Sequence, residues 1–237
     1  MGNSIALVTG ANKGIGKEIA RLLAASGLTV YVGSRDPGRG ERAVTEIGGD
    51  ARPLVIDVTD EASIAAAAAP WQGPDGRALD ILVNNAGISG ELMAAGEEDP
   101  AAFRRVFETN VIGVVAVTNA FLPGLRRSAS PRIVNISSGT GSLAVASSQE
   151  SAGFAAYRSS KTVLNMLTVL YSKALAADGV KVNALAPGLR KTGLNARAAA
   201  SDGDPAEAAA GAVRLARLPD DGPTGGFFSW DGSIVPW

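Results

Sequence analysis

"LVTGANKGIGKEIA", residues 7–20, places Gly10, Gly14 and Gly16 between a short β-branched run and an apolar stripe of helical spacing. The stretch reads as strand, tight turn, helix. Glycine is needed in such a turn where φ must be positive, or where backbone must approach a pyrophosphate closely. The helix behind it offers free N–H groups and the positive end of its dipole to phosphate oxygens. A tight turn with no ligand would use the same residues. A glycine cluster that follows the first strand and opens the first helix favours a dinucleotide.

Outward from that turn, strand and helix alternate to the end of the chain. Residues 5–9, 28–34, 52–58, 79–85, 132–138, 180–186 and 225–230 read as strands. Helices are expected over 15–26, 39–47, 61–69 with Asp60 as cap, about 101–127 behind Pro100, about 153–177, and near 205–217. Strands separated by helices of this length imply parallel pairing through crossovers. Several strands are apolar on consecutive residues, as in a sheet covered on both faces. The expectation is a single domain over residues 1–237. Its class is α/β, a doubly wound Rossmann-type fold with a parallel sheet of about seven strands flanked by helices. Residues 188–205, rich in Ala, Gly, Asp and Asn, are expected to form a mobile loop beside a site.

Composition narrows the chemistry. Of 237 residues, 46% are hydrophobic and 19% charged, which is enough apolar surface for a core, and the net charge is −1. No Lys/Arg-rich block suggests a nucleic-acid partner. The chain has no cysteine and no histidine. Disulfides, thiolate sites and imidazole sites are therefore excluded, and proton transfer must use Asp, Glu, Lys or Tyr. The opening "MGNSIALVTG" lacks the pattern of a secretory signal, and Ala6 breaks a myristoylation pattern. The longest apolar stretch, "VIGVVAVTNAFLPGL", is short and interrupted for a bilayer span. A soluble cytoplasmic protein with no membrane partner is expected.

Within "FAAYRSSKTVL", residues 154–164, Tyr157 and Lys161 are four apart and share one helix face. A free phenol has a pKa of about 10. A nearby ammonium favours the phenolate, so Lys161 is expected to lower that value and let Tyr157 exchange a proton near neutrality. A packed aromatic beside a snorkelling lysine would look the same in isolation. The preceding strand delivers Ser137 and Ser138 at the carboxyl end of the sheet, where ligands bind in open α/β folds. Spacing does not choose between them. Asn110 interrupts the apolar helix "FETNVIGVV" and needs partners, in a water relay or at a helix kink. At the end of the second strand, Ser34 and Arg35 stand where a ribose is expected. Arg35 and Lys13 would converge on a 2′-phosphate, whereas Asp36 would suit free ribose hydroxyls.

Taken in order along the chain, these motifs resemble the short-chain dehydrogenase/reductase family. The resemblance covers essentially the whole sequence. Thr9-Gly10 through Gly16 matches the family's cofactor turn, which implies cofactor contacts at Gly10, Asn12, Lys13, Gly14, Ile15 and Gly16. Asp57, with Val58 beside it, matches the adenine-contacting acid. Asn84, Asn85, Ala86 and Gly87 match the NNAG motif. Pro187-Gly188 matches the PG motif, with Thr192 where the nicotinamide carboxamide is bound. The catalytic tetrad of the family falls on Asn110, Ser138, Tyr157 and Lys161. "GANKGIG", "SRD" and the ending "DGPTGGFFSWDGSIVPW" resemble the NADPH-dependent carbonyl reductases.

The resemblance implies hydride transfer between NADP(H), favoured over NAD(H), and a small-molecule carbonyl or alcohol. Tyr157 would be the acid/base, and both Tyr157 and Lys161 would also touch the cofactor. An NAD-dependent alcohol dehydrogenase or an acyl-chain ketoreductase of the same family is the alternative within enzymes. A dinucleotide sensor without turnover is the alternative outside them. The interval between Ser138 and Tyr157 is longer than in many members and shorter than in monomeric carbonyl reductases. Homodimer, homotetramer and monomer all stay open.

Overall fold

Three helices in this chain start at an Asp-Pro pair. Asp36, Asp99 and Asp204 accept the backbone N–H groups of Arg39, Ala101 and Ala206, and the following proline fills the first turn. The carboxylate satisfies an orphaned donor, and proline has no N–H to satisfy. Asp60 caps its helix through Ala62 and Ser63.

The computed structural model describes residues 4–73, 75–148 and 153–237. Along the chain lie β1 (Ile5–Val8), α1 (Gly14–Ala25), β2 (Thr29–Ser34), α2 (Pro37–Ile47), β3 (Ala51–Val55) and α3 (Glu61–Ala68). They are followed by β4 (Ile81–Asn84), α4 (Pro100–Phe107), α5 (Gly113–Leu125), β5 (Arg132–Ile136) and α6 (Leu143–Ser147). The remainder is α7 (Ala155–Ala174), β6 (Lys181–Ala186), α8 (Ala196–Ala199), α9 (Pro205–Ala216) and β7 (Phe227–Ser229). The seven strands form one sheet in the order β3-β2-β1-β4-β5-β6-β7, every neighbouring pair parallel. The expected α/β class and strand count hold. The chain leaves β1 toward β2 on one side and later returns to β4 on the other. That reversal opens a crevice at the carboxyl ends of β1 and β4.

Successive strand residues face opposite sides. Ala6, Val8, Val30 and Val32 pack with Ile19, Leu23, Ala212 and Leu215 on one face. Leu7, Leu82 and Ile133 pack with Ile64, Trp71, Val117 and Phe121 on the other. Both faces are covered, which is why the strands carry no polar alternation.

Three local expectations need adjustment. The helix read over 101–127 is continuous but contains a π turn at Glu108–Ile112, where the Gly113 N–H bonds to the Glu108 carbonyl. A Cβ on Gly113 would lie 2.6 Å from the Val58 carbonyl oxygen, so the backbones meet there at glycine contact. The run Pro100–Leu125 has the length and hydropathy of a bilayer span. Its Val117, Phe121 and Leu125 are instead fully buried in the core. The third strand stops at Val55 rather than 58, because after the Ile56 N–H bonds to Ser34 the chain turns into the crevice. Finally, α8 lies inside 188–205, capped by the Asn195 side chain.

Candidate active site

The crevice is a cleft of about 320 Å³, and its floor is the glycine turn. Gly14 adopts φ +57, a left-handed conformation that disfavours any side chain. Gly16 is constrained by space: a Cβ there would lie 2.3 Å from Asn85 Nδ2 and 2.8 Å from the Gly10 carbonyl oxygen. Asn85 Nδ2 donates to the carbonyls of Thr9 and Gly10 at 2.9 and 3.2 Å. The backbone N–H groups of Asn85 and Ala86 donate to Thr9 Oγ1 at 3.0 and 3.1 Å. The ends of β1 and β4 are thereby tied together. Asn84 serves the sheet instead, donating to Thr118 and Asn135 in the interior. No side chain caps α1. Its first N–H groups stay available where Gly14, Ile15 and Gly16 line the cleft. Uncapped donors, a helix dipole and a backbone without side chains fit a pyrophosphate.

At the adenosine end, Ser34 Oγ donates to the Asp36 carbonyl at 2.8 Å and closes a turn. The Asp36 carboxylate caps α2 through the Arg39 N–H at 2.9 Å and pairs with Arg39 Nε at 3.5 Å. Its two oxygens thus face the start of α2, and Asp36 also lines the cleft. Asp57 accepts the Thr59 N–H at 2.9 Å and its hydroxyl at 2.8 Å. Those bonds, the backbone one foremost, hold its carboxyl below the usual carboxylate range against burial, with Arg35 adding attraction. Lys13 and Arg35 both line the cleft. The Lys13 Nζ lies 3.8 Å from where a Cβ on Gly193 would stand, toward the loop after β6. The second guanidinium lining the adenosine end is Arg39. It stands four residues beyond Arg35, in the first turn of α2.

At the other end, α7 presents Tyr157 and Lys161 to the cleft. Lys161 is 4% exposed, and its Nζ donates to the Ile136 carbonyl at 2.8 Å, 5.7 Å from the Tyr157 ring centroid. Burial lowers the ammonium to about 8, so it stays charged at neutral pH. Burial also pushes the Tyr157 phenol up, opposed only by a hydrogen bond with Ser138. The lowering expected from Lys161 is therefore not seen: the ammonium is turned to Ile136, and desolvation dominates both groups.

The structure separates the two serines. Ser137 is buried and donates to Asn165 Oδ1 at 2.5 Å. Ser138 caps the following turn through the Thr140 N–H, shares a 2.8 Å hydroxyl contact with Thr140, and meets the phenol. Asn110 is fully buried within the π turn. It accepts the Ile88 N–H at 2.9 Å and donates to the Ile88 carbonyl at 2.9 Å and Ser160 Oγ at 3.0 Å.

Pro187 and Thr192 line the cleft beyond β6. Gly188 stands behind them, where a Cβ would meet Trp230 Cδ1 at 3.2 Å. Trp230 stacks on Arg190 at 4.2 Å, behind the loop after β6, and Trp237 stacks on Phe227 at 5.3 Å while its carbonyl accepts the Ala144 N–H; neither lines the cleft itself. Of the residues predicted for the site, only Asn110, Ser138 and Gly188 do not line the cleft itself. Gly193 and Leu194, from the loop expected beside the site over 188–205, line it as well. A hydrogen bond of 3.3 Å from Ser89 Oγ to the Leu194 carbonyl draws that loop toward β4.

Comparison with known proteins agrees with this geometry. A family model described as short chain dehydrogenase matches residues 4–203. (−)-Isopiperitenone reductase of Mentha piperita is 34% identical, with 97% of each chain covered. An NADPH-bound carbonyl reductase from chicken fatty liver superimposes with a TM-score of 0.88 at 30% identity, covering 100% of both chains. A 3-ketoacyl-(acyl-carrier-protein) reductase from Brucella melitensis, complexed with NADH, gives a TM-score of 0.83 at 27% identity, over 95% of this chain and 96% of the other.

Proposed function

The chain belongs to the short-chain dehydrogenase/reductase family, and from that premise we propose that it is an NADPH-dependent reductase of small carbonyl compounds with Tyr157 as proton donor. As a member it is an oxidoreductase acting between a nicotinamide dinucleotide and a carbonyl or alcohol. When bound, the dinucleotide supplies the hydride. The protein's part is to hold, orient and protonate.

Gly10 through Gly16 and the uncapped start of α1 would hold the pyrophosphate. Asp57 and Val58 would meet the adenine, while Ala86, Gly87, Pro187 and Thr192 would flank the nicotinamide end. Tyr157, its phenol kept protonated by burial, is in the state that donates to a developing alkoxide. Ser138 would hold the substrate oxygen beside the phenol. Lys161 would keep a positive charge beneath the ring and restore the proton. Asn110 fixes Ile88 and Ser160. The second lone pair of its Oδ1 is left to order a water on the Lys161 side of Gly87, since a Cβ on Gly87 would stand 3.2 Å from Oδ1 and 3.6 Å from Nζ.

The observation that carries the cofactor preference is the state of Asp36. One of its oxygens caps α2 and the other faces Arg39 at 3.5 Å, while Arg35 and Arg39 line the adenosine end. Two guanidiniums suit a 2′-phosphate. Fluorescence titration should show NADPH binding at least about tenfold more tightly than NADH, and Arg35→Asp should abolish that preference. Equal affinities in the wild-type protein would contradict it and leave Asp36 as the ribose ligand.

A further inference from the structure

Tyr157 stands in the first turn of α7, and the local sequence does not cap that turn. Phe154 occupies the cap position at φ 60 and ψ 43 and has no side-chain acceptor. The cap comes instead from Glu98, whose Oε2 accepts the Ala156 N–H at 3.0 Å across 58 residues of chain. Glu98 is 8% exposed, Ala156 is fully buried, and the next residue is Tyr157 itself. The other carboxylate oxygen, Oε1, has no hydrogen-bond partner among the described residues. It faces Gly90, where a Cβ would stand 3.6 Å away.

Such a carboxylate is a costly way to end a helix. Burial removes its hydration, and one hydrogen bond does not replace it. A serine or asparagine at position 154 would satisfy the same N–H without that penalty. The gain is tertiary. Glu98 sits next to Asp99, the cap of α4, so one dipeptide fixes the starts of two packed helices. The same segment pairs with the chain entering α7, through the Phe154 N–H to the Met93 carbonyl at 3.1 Å and an antiparallel bridge between Ala94 and Gly153. A negative charge at a helix N-terminus is also favoured by the dipole.

We propose that Glu98 is a positioning residue for the proton donor: by holding the Ala156 N–H it sets the first turn of α7 and hence the direction in which the Tyr157 phenol enters the cleft. This rests on the reading of Tyr157 as that donor. Glu98 does not line the cleft, so its removal takes no direct contact from the cofactor, and the effect is read on turnover.

The test uses the full chain, NADPH, and whichever carbonyl in a panel of aldehydes, ketones and quinones the wild type reduces fastest. Glu98→Ala should lower kcat by about tenfold or more, as misplacement of a reacting group does, while the fluorescence Kd for NADPH changes less than about twofold. Glu98→Gln keeps an oxygen for the Ala156 N–H and should recover most of the lost kcat. In a Tyr157→Phe background, Glu98→Ala should add no further loss. Wild-type kcat in Glu98→Ala overturns the proposal. So does a parallel loss of NADPH affinity, or a folded Glu98→Gln as slow as the alanine variant. A full additional loss in the Tyr157→Phe background overturns the positioning role but leaves the tyrosine assignment standing. A Tyr157→Phe protein with wild-type turnover removes the assignment itself.

Discussion

The two walls of the cleft are held by opposite means. The wall after β1 and β4 is tied backbone to side chain through Thr9, Asn85 and Gly16, with no room for an added methyl at residue 16. The wall after β6 is a loop drawn in by buried side chains, Ser89 at Leu194 and Arg190 at its base. Arg190 Nε donates to the Pro187 carbonyl at 2.8 Å, its Nη1 meets Glu207 at 2.6 Å, and the guanidinium lies over Trp230. The Lys191 N–H closes the base of the loop on the Gly203 carbonyl at 2.7 Å. The first wall includes the glycine turn; the second brings Thr192, Gly193 and Leu194 to the cleft, with Thr192 3.5 Å from where a Cβ on Gly14 would stand. The first should tolerate almost nothing, whereas the second should tolerate change at a graded cost.

Gly16→Ala is the harshest probe of this contrast. The new methyl has only Asn85 and the Gly10 carbonyl to displace. The variant should lose about 1–3 kcal/mol in chemical denaturation and show no NADPH binding by fluorescence. Arg190→Ala should be milder. It removes two hydrogen bonds and a cation–π contact, and the Glu207 left behind is half exposed and stays hydrated. A loss of roughly 1–2 kcal/mol is expected, with KM for the carbonyl substrate raised severalfold and NADPH affinity nearly kept. If the two variants lost stability and cofactor binding equally, the contrast between the walls would fail.

The smallest effect concerns pH, read at Lys161 between the walls. Its ammonium is depressed to about 8, so it is charged below that value and neutral above it. Reductive kcat/KM should therefore fall by about twofold from pH 7 to 8 and continue downward beyond. A rate rising through that window would mean that the neutral amine is the working form.

The difference between the walls also explains what could be read in advance. The glycine turn is a local demand of backbone on sequence, and the alternation of strand and helix is local as well, so the fold class and cofactor floor follow from neighbours along the chain. Other features depend on contacts between distant residues. The choice of Ser138 over Ser137 is made by Asn165 and Tyr157. The direction of Lys161 is set by the Ile136 carbonyl, not by its spacing from Tyr157. By sequence Asp36 would suit free ribose hydroxyls; that one of its oxygens caps α2 shows only in the structure. Glu98, in an acidic "EEDP" run that looks like solvated surface, is buried because α7 lacks a cap of its own.

The central claim is that the Tyr157 hydroxyl delivers the proton. Single-turnover oxidation of bound NADPH by a carbonyl substrate, followed at the nicotinamide absorbance in wild type and Tyr157→Phe, tests it most directly. The phenylalanine variant should bind NADPH as tightly as wild type and oxidise it about 10²–10⁴-fold more slowly. Oxidation at the wild-type rate, with binding intact, would contradict it.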